Sequence, residues 1–296
     1  MHAAGSPILV IDSGLGGLTC VKAVHALLPH EQIVYFGDTA RLPYGSKSAE
    51  TVTTFVKQII TFLRPFNPKH VLIACNTATA LALPALTTSF PDLSISGVIE
   101  PGARAAVEAA GSKTAPVIGV MATEATIRSR AYDRAIIRRR QLAKLLLRPA
   151  PLLVPIIEEG RRMDDLLVQL ALEQYLQPMI DRKMDVLVLG CTHYPILKPL
   201  IQEIVGANVQ VIDSAEQCAE DVARRLQTAG LLWGEDPSPL PRTSPASWLK
   251  TFVTDNSPRF AQLASKFLGI RIDAPRWVPP EELHSDAINA SVRQAV

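Results

Sequence analysis

No apolar run in this sequence approaches the roughly 18 residues that a membrane-spanning helix needs. The opening, MHAAGSPILVIDSG, lacks the basic and long apolar regions of a secretory leader. Cysteine is scarce: Cys20, Cys75, Cys191 and Cys218 are the only four, and no CxxC pair occurs. That excludes a secreted disulfide scaffold and a zinc knuckle, and it suits a reducing cytoplasm. Neither sign of charge prevails, since the formal net charge is +2, so charge alone names no polyanionic partner. No cluster of metal ligands stands out, and no lysine lies in a phosphate-binding context. Neither a metal nor pyridoxal phosphate is therefore expected.

What is present is an ordinary globular composition, 48% apolar and 20% charged over 296 residues. That length fits two packed domains with cores needing no covalent staples. Short β-branched runs alternate with longer segments of helical period. PILVID (7–12), QIVYFGD (32–38), KHVLIAC (69–75), SISGVIE (94–100), PVIGVM (116–121), DVLVLGC (185–191) and VQVID (209–213) read as strands. Their nearly continuous apolar character suits parallel strands buried on both faces. Segments 18–28, 49–63, 165–180 and 215–230 have helical spacing, with Gly230 placed as a stop. Strand alternating with helix implies a soluble α/β protein, doubly wound, with ligands at the carboxyl ends of its strands.

The chain also resembles itself. VLIACNTATALALP (71–84) aligns with LVLGCTHYPILKPL (187–200), and ILVIDSG (8–14) aligns more weakly with VIGVMAT (117–123). Two half-copies of one unit would bring Cys75 and Cys191 to equivalent strand-to-helix edges, with a cleft between the copies. Proline gathers after residue 237, and EDPSPLPRTSP (235–245) reads as a loop or linker. Residues 246–269 suit a strand and a short helix. Residues 279–296 fit either a packed helix or a frayed tail.

The duplicated cysteines carry the strongest chemical signal. Each ends an apolar strand and opens a helix, where the helix N-terminus favours a thiolate. Asn76 and Thr77, or Thr192 and His193, follow as donors for a ligand. A single buried cysteine is ordinarily a small hydrophobe. Two at equivalent turns of a repeat are harder to explain that way, whereas Cys20 and Cys218 fit it well. Gly14, Gly16 and Gly17 make a strand-to-helix turn whose N–H groups suit an anion. It is not the dinucleotide fingerprint, because Thr19 stands where the last glycine of G-x-G-x-x-G belongs, and Asp38 is a poor ribose ligand. Asp12 and Ser13 sit at the tip of the preceding strand. GDTARLPYG (37–45) reads as a loop and EPG (100–102) as a strand end with a turn.

Together, IDSGLGGL (11–18), YFGDTARLPYG (35–45), ACNTATA (74–80), GVIEPG (97–102), VPIIEEG (154–160), LGCTHYPIL (189–197) and VIDSA (211–215) resemble the cofactor-independent aspartate and glutamate racemases. GDTARLPYG favours the glutamate branch over the aspartate one. The resemblance spans about residues 8 to 230; Ile11 and Ala150 depart from the family's usual residues, and nothing functional transfers beyond about 234. It implies two pseudo-symmetric, doubly wound parallel-sheet domains with the active site between them. Residues 1–97 plus 213–296 would form one domain and 98–212 the other. It further implies glutamate as the small-molecule substrate, Cys75 as the base for the D enantiomer and Cys191 for the L enantiomer, with no cofactor. Asp12, Ser13, Tyr44, Gly45, Asn76, Thr77, Thr192 and His193 would line the substrate site. Asp12, His193 and Glu158 would assist the thiols. The family role is D-glutamate supply for peptidoglycan in a bacterial cytoplasm, and a homodimer is its usual assembly.

One segment points elsewhere. Residues 128–148 hold eight basic residues and one acid, with Arg130, Arg134 and Arg138, then Arg140, Lys144 and Arg148, at helical spacing. A solvated helix face is the ordinary explanation. The alternative is a binding protein that contacts nucleic acid or an acidic partner through a basic helix. Tyr132 is the only aromatic residue there, which argues against single-strand stacking.

Overall fold

The structure is a computed structural model describing residues 3–233, 247–255, 257 and 259–283. The N-terminal part runs β1 (Ile8–Asp12), α1 (Leu18–Leu27), β2 (Ile33–Gly37), α2 (Ala49–Leu63), β3 (His70–Ile73), α3 (Asn76–Ser89) and β4 (Ile95–Gly97). Next come α4 (Ile99–Ala109), β5 (Val117–Ala122), α5 (Glu124–Ser129), α6 (Ala131–Arg139), β6 (Lys144–Pro149) and α7 (Leu153–Glu158). They are followed by α8 (Leu166–Ile180), β7 (Val186–Gly190), α9 (Lys198–Val205), β8 (Gln210–Asp213) and α10 (Ser214–Thr228). The chain then adds β9 (Leu249–Val253), α11 (Arg259–Leu268) and β10 (Arg276–Trp277).

Two all-parallel sheets result, ordered β10-β9-β2-β1-β3-β4 and β6-β5-β7-β8. Four strands of the first sheet, β2-β1-β3-β4, have the same order as the whole of the second. The pairings β1 with β5 and β3 with β7 are those the internal repeat implies. Cys75 and Cys191 thus follow topologically equivalent strands at the carboxyl edges. Along β1, Leu9 and Ile11 pack into one apolar cluster with α2 and α3, while Ile8 and Val10 pack into another with α1. A strand covered on both faces has no polar side, which is why these strands read as unbroken apolar runs. The cluster behind Ile8 continues through Met121 and Leu189 of the second sheet, so one core joins the two halves.

Two local expectations fail. The basic segment 128–148 is not one helix. Arg130 adopts a left-handed conformation (φ 55°) that separates α5 from α6, and Lys144–Pro149 pairs with β5 as an edge strand. The arginines are engaged locally: Arg138 and Arg139 with Glu100, Arg130 with Asp133, Arg140 with the carbonyls of Gly111 and Lys113. Nor does a strand continue to residue 100. It stops at Gly97, and Glu100, Pro101 and Gly102 form the first turn of α4, where an acid and a proline are both favourable. Residues 249–253 and 259–268 do form a strand and a helix. The linker 235–245 and residues 284–296 lie outside the described residues. Among the described residues no helix is long and apolar enough to cross a membrane.

Candidate active site

The carboxyl edges of the two sheets meet around a cavity of about 40 Å³. Ser13, Tyr44, Gly45, Cys75, Asn76, Thr77, Cys191, Thr192 and His193 all line it, together with Leu42, Pro43, Thr123 and Val154. Both thiols are free and buried. Asp12 and Glu158 are not part of the wall. Asp12 lies behind it, 1% exposed, and Glu158 borders two larger outer hollows of about 370 and 360 Å³.

Each thiol is held differently. Cys75 caps α3, its Sγ accepting the Ala78 N–H at 3.5 Å. Cys191 follows β7, yet no α-helix opens there: a turn and a short 3₁₀ segment (Tyr194–Leu197) intervene before α9 begins at Lys198. Its sulfur instead lies 3.9 Å from His193 Nδ1, and His193 Nε2 meets Glu158 Oε1 at 2.9 Å. The expectation that helix N-termini make both thiolates accessible is therefore corrected. For Cys75, burial outweighs the cap: burial and the neighbouring Asp12 carboxylate push the thiol up to about 12, against hydrogen bonds from Ser13 and Ala78. For His193, burial opposes a charge on the ring, but its contacts with Cys191 and Glu158 prevail and push it up to about 10. The site thus holds a cation at neutral pH.

The glycine turn serves a different purpose from the one its composition suggested. Backbone N–H groups of Gly17, Gly14 and Ser13 converge on the chain's own Asp12 carboxylate, the Gly14 contact being 2.9 Å. Burial nevertheless raises the Asp12 pKa. A Cβ on Gly16 would lie 2.3 Å from Thr192 Oγ1 and 2.5 Å from His193 Nδ1. Gly16 is required because the turn presses directly on the Cys191 loop. Cys20 and Cys218 are buried within α1 and α10, as expected of small hydrophobes.

Two supporting residues were not anticipated. Asp38, dismissed as a ribose ligand, accepts the Tyr44 hydroxyl and is held by Arg41 Nε and Thr254 Oγ1, each at 2.9 Å. Burial and the Asp38 charge keep Tyr44 protonated, so it remains a donor. Thr123 follows β5 and caps α5, its hydroxyl joined at 2.9 Å to that of Thr126 and, across the two halves, at 2.9 Å to that of Thr77. The match of 117–123 with 8–14 marks that strand tip in the sequence. Among the described residues, no group of three or more His, Cys, Asp or Glu side chains is placed to hold a metal.

Residues 17–222 match the model of the Asp/Glu/Hydantoin racemase family. The chain belongs to that family. A glutamate racemase of Chlorobaculum tepidum is 40% identical over 270 residues, covering 91% of this chain and 95% of that protein. One of Geobacter metallireducens is 44% identical, covering 88% and 92%. Among solved structures, the Francisella tularensis glutamate racemase in complex with D-glutamate is 33% identical with a TM-score of 0.82, covering 94% of this chain and 99% of that one. A Bacillus anthracis glutamate racemase is 36% identical with a TM-score of 0.84, covering 93% and 98%. The two-domain α/β architecture of this racemase family is thus also that of the present chain.

Proposed function

We propose that this chain interconverts L- and D-glutamate by two-base proton transfer between Cys75 and Cys191, without a cofactor. One observation carries the reading: two buried thiols, one from each of two topologically equivalent sheet edges, line a single cavity. Inversion at Cα needs a base on one face and an acid on the other. The Cys191 thiolate takes the Cα proton of L-glutamate while the Cys75 thiol delivers its proton to the opposite face. D-glutamate reverses both roles. The Cα–H bond of L-glutamate breaks as the Cys191 S–H bond forms, and on the opposite face the Cys75 S–H bond breaks as the new Cα–H bond forms, which leaves Cys191 a thiol and Cys75 a thiolate.

Acid–base steps of this kind typically contribute roughly 10²–10⁴-fold each. The rest comes from orientation and from fixed donors around the carbanion-like transition state. Ser13, Asn76, Thr77 and Thr192 supply such donors to the substrate. Tyr44, Gly45 and His193 do so through backbone N–H groups, since the Tyr44 hydroxyl is given to Asp38 and the His193 ring to Cys191 and Glu158. The protonated His193, held by Glu158, places a positive charge beside the Cys191 sulfur. Asp12 acts on the Cys75 side. The two domains, 1–97 with 213–296 and 98–212, contribute one thiol each. The product would serve peptidoglycan synthesis in a bacterial cytoplasm.

Glutamate is preferred to aspartate because GDTARLPYG, which frames Tyr44 and Gly45 in the cavity wall, belongs to the glutamate branch of the resemblance. Polarimetry of purified protein with L-glutamate and with L-aspartate, no cofactor added, tests the reading. Rotation should decay to zero with glutamate and far more slowly with aspartate. A constant rotation with glutamate overturns it.

A further inference from the structure

Asn76 follows Cys75 and lines the cavity, but its side chain is only half satisfied. Oδ1 accepts the Tyr132 hydroxyl at 2.7 Å, whereas Nδ2 is buried and has no partner among the described residues. A buried amide donor without an acceptor costs stability unless a ligand supplies one. Tyr132 comes from α6, 56 residues away and on the other half of the molecule. Its ring is 2% exposed and sits where two glycines leave room. A Cβ on Gly190 would lie 3.1 Å from Tyr132 Cε2, and one on Gly102 would lie 3.4 Å from its hydroxyl. Burial raises the tyrosine pKa far above its ordinary value, so the hydroxyl stays a donor at every working pH.

We propose that Tyr132 is a positioning residue for the substrate site. Its hydroxyl, reaching from α6 to the start of α3, fixes the Asn76 amide so that Nδ2–H is offered to a substrate carboxylate. An asparagine amide has two nearly isosteric orientations, and only one presents donors to an anion. Oδ1 is the acceptor for the buried Tyr132 hydroxyl hydrogen, and turning the amide over would take that acceptor away, so the observed orientation is favoured before substrate arrives, which lowers the cost of binding. The contact crosses between the two halves, so the orientation is set only when they are together. This inference rests on the glutamate racemase reading above and deepens it.

The test is Tyr132→Phe, which removes one oxygen and keeps the ring in its glycine-lined seat, alongside Asn76→Ala and the double variant. Circular dichroism and melting temperature establish folding, and the rise in melting temperature with D-glutamate gives binding independently of turnover. The Phe variant should show a KM raised roughly three- to tenfold for both enantiomers, with kcat changed less, the size expected for one net hydrogen bond. It should also need correspondingly more D-glutamate for the same thermal shift. In the Asn76→Ala background the Phe substitution should add almost nothing, because Tyr132 acts through the amide that is gone. A wild-type protein that does not racemise glutamate overturns the functional reading and this inference with it. An active wild type whose folded Phe variant keeps its KM overturns the inference alone, as does a Phe effect of full size in the Asn76→Ala background. A purely structural tyrosine would lower the melting temperature without raising KM.

Discussion

Cys75 and Cys191 sit in similar words of sequence but in different electrostatic surroundings. Cys75 has a carboxylate and a helix cap for neighbours, and Cys191 has an imidazole backed by Glu158. The His193 ring holds its proton up to about pH 10, so its cation is present at pH 7–9 and disappears above that. The pH profile of kcat/KM should therefore have an alkaline limb near 10. Glu158→Gln takes away one of the two contacts that raise the imidazole, and the limb should move toward neutral pH. One direction suffices for this measurement: enantiomers have equal free energy, so kcat/KM must be the same both ways. A limb in the same place in Glu158→Gln contradicts the coupling. Residues of this kind differ in how readable they are. Ser13, Asn76, Thr77, Thr192 and His193 are legible because they directly follow apolar strands. Asp38, Tyr132 and the role of Thr123 are not, because their partners come from distant turns, as with Tyr132 and Asn76 or Asp38 and Thr254.

Elements were legible where period and burial agree, and illegible where an edge strand is short or charged. Lys144–Pro149 carries Lys144 and Arg148 at a spacing a helix would also satisfy, yet it lies at a sheet edge where only partial burial is required. In β3 the reverse holds, since an apolar run includes a titratable group. His70 is buried between Ser94 and Ser96, whose hydroxyls lie 2.9 and 2.8 Å from its two ring nitrogens. Burial, aided by the Arg225 charge, lowers its pKa from 6.5 to about 4. The unfolded chain therefore binds a proton between those values that the folded one rejects, and stability must rise with pH across that window. The neutral imidazole contributes stability that is fully present above pH 6.5 and lost as the pH falls toward 4, on the order of 3 kcal/mol. His70→Gln should flatten the melting temperature between pH 7 and pH 5 relative to wild type. Equal slopes in the two proteins would contradict this account of β3.

At the scale of the whole molecule, the repeated strand order explains why two thiols can face one substrate. The equivalent turns after β3 and β7 come from equivalent positions in two sheets, and a shared apolar core brings those edges together. This symmetry was legible because the repeat retains its cysteines, while the joining contacts at Gly16 and at the Thr77, Thr123 and Thr126 hydroxyls appear only in three dimensions. If the halves act as one base and one acid, neither can be dispensed with. A serine at either position is a far weaker base in the same place. The decisive measurement is the glutamate racemisation rate of folded Cys75→Ser and Cys191→Ser, followed by circular dichroism. The account predicts that both fall by roughly 10²–10⁴-fold or more while keeping the wild-type fold. Near-wild-type racemisation by either folded variant would contradict it.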